Sequence, residues 1–347
     1  MIQVGLIGYG YWGPNLLRNF ADASGYQVKV VSDLSPERMA RAAGRHPSVR
    51  TTANHRELIE DPAVDLVVLA TPVSTHFELA MQALRAGKHV LVEKPLTATS
   101  EEGERLIEEA ERRGLTLMVD HTFVYTSAVR KIRELVSTGA LGEIYYYDSV
   151  RVNLGLFQHD VNVIWDLAVH DLAILDYILD ARPMAVSATG INHVAEKPEN
   201  IAYVTLFFAE NMIAHLHLNW LSPVKMRRTL IGGSQKRIVY DDLEVADKVK
   251  VSDKGITVTN NVESLYQMLI GYRTGDMWAP NLPATEALQT EVQHLRECIE
   301  GKQKPITDGE VGLRVVRLLE AASQSMKEHG HPIELPQAKG ATAWSRS

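Results

Sequence analysis

The run Val4-Gly5-Leu6-Ile7-Gly8-Tyr9-Gly10-Tyr11-Trp12-Gly13-Pro14 sets an apolar strand, a G-x-G-x-x-G turn and a helix-opening proline in immediate succession. A dinucleotide pyrophosphate requires that order. Gly8 permits the tight turn, Gly10 lets the backbone approach the phosphates, and Gly13 lets the helix pack close to the strand. N–H groups at the helix start then face the anion, where the helix dipole also favours negative charge. Pro14 suits the first helical turn because its missing N–H would have no intrahelical partner. Three glycines alone recur in ordinary turns, so the strand before them and the proline after them give the pattern its weight. Tyr11 and Trp12, inside the loop, join the glycines as candidate cofactor contacts.

The segment 27–32 reads as a second short buried strand, and Asp33 ends it about 20 residues beyond the fingerprint. A carboxylate there accepts bonds from the adenosine ribose and repels a 2′-phosphate, so NAD is favoured over NADP. The alternative is that Asp33 caps the following helix, for which Ser35-Pro36-Glu37 is an equally good start, and Arg38 stands near enough to answer a phosphate.

Strand-like runs at 2–7, 27–32, 64–70, 88–92 and 115–119 alternate with helical stretches near 14–22, 36–44, 55–60, 76–86 and 100–113. Short, nearly continuous apolar strands are expected when helices cover both faces of a parallel sheet. The fold class is therefore α/β: a doubly wound Rossmann domain over residues 1–120, followed by an α+β domain over 121–335 with an open, mainly antiparallel sheet. Helices near 127–137 and 163–179, a strand at 144–152, and runs at 184–192, 202–208, 212–219, 227–232, 236–240 and 246–251 predict a sheet of about six strands. The runs 202–208 and 212–219 form a hairpin. Two helices follow, near 284–300 and 308–329, and residues 336–347 read as a loose tail.

A chain of 347 residues suits two domains. A net charge of −7 without a dense Lys/Arg cluster argues against nucleic-acid or anionic-membrane binding. Cys298, the single cysteine, excludes an internal disulfide and reads as a packing residue. A strand starting at residue 2 leaves no room for a signal peptide, and no apolar run is long enough for a bilayer, so a cytoplasmic location is expected. His215, His217 and Asn219 alternate onto one strand face. Without a carboxylate at ligand spacing they form a polar stripe, and no metal site is expected.

Ligands of open parallel sheets bind at the carboxyl ends of strands. Two such ends stand out: Ala70-Thr71-Pro72-Val73-Ser74-Thr75-His76, where a proline stops the strand and a histidine opens a helix, and Glu93-Lys94-Pro95. Lys94 projects where nicotinamide should lie, although a surface Lys–Glu pair would look the same. In Trp165-Asp166-Leu167-Ala168-Val169-His170, Asp166 and His170 stand at i and i+4 and share a helix face. A carboxylate beside an imidazole suits proton transfer near neutral pH, and an ordinary surface ion pair has the same spacing.

In that order and at these intervals, the glycine loop, Asp33, the A-T-P…H loop, Glu93-Lys94-Pro95 and D-x-x-x-H resemble the Gfo/Idh/MocA family of sugar and cyclitol dehydrogenases. The resemblance covers nearly the whole chain. It implies cofactor contacts at Thr71, Pro72, His76, Glu93 and Lys94, and a catalytic set of Lys94, Asp166 and His170. His170 would take the proton from a substrate hydroxyl, Lys94 would stabilise the developing alkoxide, and Asp166 would position substrate or tune the imidazole. Tyr125, Arg151, Asn162 and Trp165 are further candidate substrate contacts. The family's glycine-rich run before D-x-x-x-H is replaced here by 158–165, which predicts a differently shaped substrate pocket.

The segments 220–228 and 272–276 look like those of the branch that oxidises nucleotide-linked sugars. Lys225, Arg227 and Arg273 there could meet a diphosphate through charge-assisted bonds. The expected substrate is a nucleotide-linked sugar, possibly oxidised at C3, with free sugars and inositols as the alternative. Redox-neutral glycoside processing with held NAD and a non-catalytic NAD-binding regulator are the other readings. The resemblance also implies a homodimer or homotetramer through the open sheet.

Overall fold

A computed structural model describes residues 1–155, 161–195, 197–209, 211–258 and 270–336. The chain divides into two compact units. The first comprises residues 1–126 and 285–320, and the second comprises residues 127–284 with the chain from Ala321 onward. The contiguous boundaries read from sequence differ from this division because the segment 285–320 returns to the first unit.

In the first unit, β1 (Ile2–Ile7), β2 (Tyr26–Ser32), β3 (Arg50–Thr52), β4 (Leu66–Leu69), β5 (His89–Glu93) and β6 (Leu117–Asp120) form a sheet of order β3-β2-β1-β4-β5-β6. Every pairing in it is parallel. This is the doubly wound dinucleotide order, with its reversal between β1 and β4. Leu66 to Leu69 are all buried, as a strand covered on both faces requires. β3 escapes the sequence pattern because Arg50-Thr51-Thr52 is short, polar and at the edge. Helices α1 (Gly13–Asp22), α2 (Pro36–Arg45), α3 (His55–Ile59), α4 (His76–Arg85) and α5 (Ser100–Arg113) connect the strands. Apolar residues at helical spacing, Leu16, Leu17 and Phe20 on α1 and Leu106, Ile107 and Ala110 on α5, face the core.

The second unit begins with α6 (Ser127–Ser137) and β7 (Ile144–Leu154). A π turn over Ile164–Ala168 runs into α7 (Val169–Ile178). Then come β8 (Pro183–Ile191), β9 (Ile201–Phe208), β10 (Ile213–Asn219), β11 (Leu221–Gly233), β12 (Arg237–Asp241) and β13 (Val249–Ser252). The hairpin β14 (Gly255–Val258)/β15 (Ile270–Arg273) stands apart from the main sheet, and β16 (Met277–Trp278) pairs with β13. The nine-stranded order β16-β13-β12-β11-β7-β10-β9-β8-β17 includes β17 (Ile333–Glu334). All its pairings are antiparallel except β7 with β10. β9 and β10 make the expected hairpin, whose tip residue Glu210 lies outside the described residues.

Alternation sends Ala214, Leu216 and Leu218 into the core and leaves His215 and His217 half-buried on the other face. There the Tyr203 ring stacks on His217 at 4.7 Å. Beneath β7, Arg151 donates to Asp171 on α7 at 2.8 and 3.1 Å, and Ser149 donates to the same carboxylate at 2.9 Å.

Two helices of the first unit's return follow β16 in the chain: α8 (Ala287–Ile299) and α9 (Gly309–Lys327), the latter carrying the boundary between units. α8 is held by Tyr26 Oη donating to the Val292 carbonyl at 2.9 Å. Between them, Thr307 accepts from the Val119 N–H at 2.8 Å and returns its hydroxyl to the Val119 carbonyl at 2.8 Å. The edge of β6 is thereby closed to further strand pairing. The expected tail from 337 onward lies outside the described residues. Among the described residues no helix is long and apolar enough to cross a membrane.

Asp171→Ala would leave the Arg151 guanidinium, 6% exposed, without its carboxylate. It should cost about 3–5 kcal/mol. A urea titration followed by circular dichroism should show Arg151→Met/Asp171→Leu to be less destabilised than Asp171→Ala. An equal or larger loss in the double variant would contradict this account.

Candidate functional site

The glycine loop joins the end of β1 to α1 at the sheet's reversal. Gly8 has φ +97°, a conformation that side chains with a Cβ avoid, and a Cβ there would stand 2.3 Å from the Ala70 carbonyl oxygen at the end of β4. A Cβ on Gly13 would stand 2.3 Å from the Gly8 carbonyl oxygen. A Cβ on Gly10, by contrast, would meet only Arg38 Nη1, at 3.7 Å. The first and last glycines are thus required by the fold, while the middle one borders open space. α1 starts without a side-chain cap and with Pro14 in its first turn; Asn15 and Leu16 give their N–H groups to the Trp12 carbonyl, and the positive end of the helix dipole faces the loop.

Asp33, 8% exposed, accepts the Tyr9 N–H at 2.7 Å and the Ser35 N–H at 2.8 Å, one on each oxygen. The cap of α2 is Ser35, whose hydroxyl accepts the Arg38 N–H at 3.3 Å. Asp33 is therefore free of capping. A carboxylate has about four acceptor positions, so capacity remains for ribose hydroxyls. Asp33, Leu34, Ser35, Glu37, Arg38 and Arg41 line a depression of about 490 Å³. The Arg38 guanidinium lies 3.7 Å from the Asp33 carboxylate. These features fit a dinucleotide: a close backbone approach, an uncapped helix start and an acidic ribose acceptor. Tyr11, 91% exposed, stands beside them.

At the other strand ends, His76 is buried between two loops, with Nδ1 2.9 Å from the Pro95 carbonyl oxygen and Nε2 2.8 Å from that of Thr71. Burial, reinforced by Lys94, holds its pKa below the ordinary range. His76 thus joins the Thr71-Pro72 loop to the Glu93-Lys94-Pro95 loop, whose Lys94-Pro95 peptide is cis. Thr71 Oγ1 accepts the Thr75 hydroxyl at 2.7 Å. Trp12 reaches from the glycine loop to the end of β6, where its Nε1 donates to Asp120 at 2.8 Å.

Sequence reasoning passed over three residues here: Asp120, His121 and Glu291. Asp120 is the register partner of Glu93 on the adjacent strand. Glu291, 0% exposed, comes from α8. Enclosure, with Asp120 alongside, raises the pKa of both Glu93 and Glu291 well above the usual carboxyl range. His121, equally enclosed and close to Lys94, is pushed down to about 3. The signals lay in the sequence as polar residues inside apolar runs, and only the fold brings them together.

In the second unit, the π turn and the start of α7 carry Asp166 and His170. Asp166 accepts the indole N–H of the buried Trp220 at 3.0 Å, a partner that the sequence did not suggest. Asn162 Oδ1 accepts the N–H groups of Ile164 and Trp165, at 3.1 and 3.2 Å, and so starts this helix. Trp165 Nε1 donates to Ser323 at 2.9 Å. Of the loop 158–165, residues 158–160 lie outside the described residues.

Several candidate substrate contacts are occupied by the protein itself. Tyr125, in the first unit, is 1% exposed and bonds His294 Nδ1 at 3.0 Å and Thr307 at 3.3 Å. Arg151 is spent on Asp171. Arg227 lies 3.3 Å from Asp242, and Arg273 donates to Asp253 at 3.1 Å and to the Gln235 carbonyl.

Residues 2–121 match the model described as an oxidoreductase family, NAD-binding Rossmann fold, and residues 129–239 match the GFO/IDH/MocA C-terminal domain. The chain is 29% identical over 349 residues to the NADP(+)-dependent scyllo-inositol 2-dehydrogenase IolW of Bacillus subtilis, covering 94% of each protein. It is 28% identical to a UDP-N-acetylglucosamine 3-dehydrogenase of Acidithiobacillus ferrooxidans, covering 91% of this chain and 94% of that one. The solved structure of the UDP-N-acetylglucosamine 3-dehydrogenase GnnA from that organism superposes with a TM-score of 0.77 at 27% identity, covering 94% and 97% of the two chains.

The geometry separates two kinds of glycine. Gly10→Ala should abolish NAD binding without moving the unfolding temperature, whereas Gly8→Ala should lower both. Calorimetric titration and thermal melts check this. A Gly10→Ala protein that binds NAD normally would show that the cofactor does not lie against the loop.

Proposed function

The chain belongs to the Gfo/Idh/MocA family of NAD(P)-dependent oxidoreductases, and from that premise we propose that it oxidises or reduces one ring carbinol of a nucleotide-linked sugar, at C3 by analogy with the GnnA relative. The observation that carries this reading is the presence of two chemical groups: Lys94 just after β5, and His170 one turn after an Asp166 fixed by Trp220. Bound NAD supplies the hydride acceptor. Gly8, Gly10, Tyr11, Trp12, Gly13 and Asp33 hold it, and Thr71, Pro72, His76 and Glu93 shape the nicotinamide end.

His170 accepts the proton of the reacting hydroxyl and returns it in the reverse direction. The Lys94 ammonium stabilises the oxygen as its negative charge develops, which lowers the barrier because the charge exists only on the way to product. Asp166 keeps the imidazole aligned and basic. A purely regulatory NAD-binding protein would need none of these three residues. The open face of the second unit's sheet supports a homo-oligomer, and the expected location is the cytoplasm.

An inositol or free sugar is the second reading. It is favoured by Arg227 and Arg273, the two guanidiniums offered for a diphosphate, each of which already has a carboxylate partner.

Absorbance of reduced nicotinamide should appear with NAD and one member of a panel of UDP-sugars, dTDP-sugars, free sugars and inositols. A response to inositols alone would replace the first substrate class by the second. NAD retained through purification with no response to any member would point to redox-neutral chemistry. Lys94→Ala and His170→Ala should each lower kcat by about 10²–10⁴-fold, and the His170 variant should still bind NAD in a calorimetric titration. Turnover retained in both variants would remove this mechanism.

A further inference from the structure

Three carboxyl groups meet inside the first unit with too few donors to be charged together. Asp120 receives Trp12 Nε1 at 2.8 Å on one oxygen and the Thr122 hydroxyl at 2.5 Å on the other. Glu93 is the register partner of Asp120 on the adjacent strand, and Glu291, 0% exposed on α8, lies near enough for Asp120 to raise its pKa. No N–H or hydroxyl donor reaches either oxygen of Glu291. An enclosed charge without a partner is too costly to persist, so Glu291 carries a proton.

We propose that Asp120 is the positioning residue of the cofactor loop: it ties the indole of Trp12, between Gly10 and Gly13, to the end of β6, and the proton held by Glu291 keeps that acceptor in place. The assignment rests on reading Gly8–Gly13 as the NAD loop. It makes NAD affinity, rather than chemistry alone, sensitive to the protonation of a buried carboxyl on α8.

The charged and titratable groups facing the cluster are Lys94 after β5, His121 after β6, Tyr125 in the following turn, and His294 and Cys298 on α8. His121 is held neutral at about 3, and burial lifts both the Tyr125 hydroxyl and the Cys298 thiol, the latter to about 11. Glu291 is raised, so it releases its proton at a higher pH than an ordinary carboxyl does. A second carboxylate beside Asp120 then repels it, the Trp12 bond is lost, and NAD affinity falls on the alkaline side.

The test is calorimetric NAD titration of the full chain from about pH 6 to about pH 10. The unaltered chain should lose affinity toward alkaline pH. Glu291→Gln, whose amide donates at every pH, should flatten that loss although Lys94 is intact. Trp12→Phe, which removes only the donor, and Asp120→Ala should each weaken NAD binding about tenfold. The double variant should lose no more than either single one, because both remove the same bond. Additive losses overturn the proposal, as does an alkaline fall in Glu291→Gln equal to that of the unaltered chain. Trp12→Phe leaves the buried acids intact, so it keeps the test valid if Asp120→Ala unfolds. A chain that binds NAD at no pH overturns both the proposal and the cofactor-loop reading.

Discussion

The close approach of Gly8 to the carbonyl of Ala70, the residue after β4, governs the first unit. Where a parallel sheet reverses its winding, the two central strands end side by side with their helices departing to opposite faces, and a crevice opens above them. Only a residue without a Cβ can turn there, because 2.3 Å separates the hypothetical atom from the Ala70 oxygen. The depression beside Asp33 and the uncapped start of α1 both follow from that turn. So does the span of Trp12 across to β6.

Much of this was legible from the residues. Continuous apolar runs announced the parallel strands, and the alternation in 202–219 announced the β9–β10 hairpin. Local chemistry was legible wherever a residue acts through its neighbours in sequence, as at Gly8, Pro14 and Asp33. What escaped was distant. Glu291 belongs to a helix that looks like any amphipathic surface helix, and only its return to the first unit brings its carboxyl beside Asp120. Trp220 escaped for the same reason, being separated from Asp166 by a helix and three strands of chain. β3 escaped because a three-residue polar edge strand has no period to detect.

Polar residues near a suspected site divide into those that face a ligand and those that build the frame, and composition does not separate them. Tyr125, Arg151 and Asn162 have the chemistry of ligand contacts. In the fold, Tyr125 anchors α8, Arg151 joins β7 to α7, and Asn162 starts a helix. Each meets a strong internal partner, which is the economical solution for a polar group in an apolar setting.

The discontinuous first unit has a consequence for synthesis. A ribosome completes β1 to β6 while α8 is still unmade, and residues 127–284 of the second unit must emerge before Thr307 can close the edge of β6. Until then the nascent sheet carries an open strand edge, and Asp120 and Tyr125 lack the residues that surround them in the finished unit. The amino-terminal half, though first to leave the exit tunnel, therefore cannot be the first to finish folding, and its exposed edge calls for chaperone protection during translation.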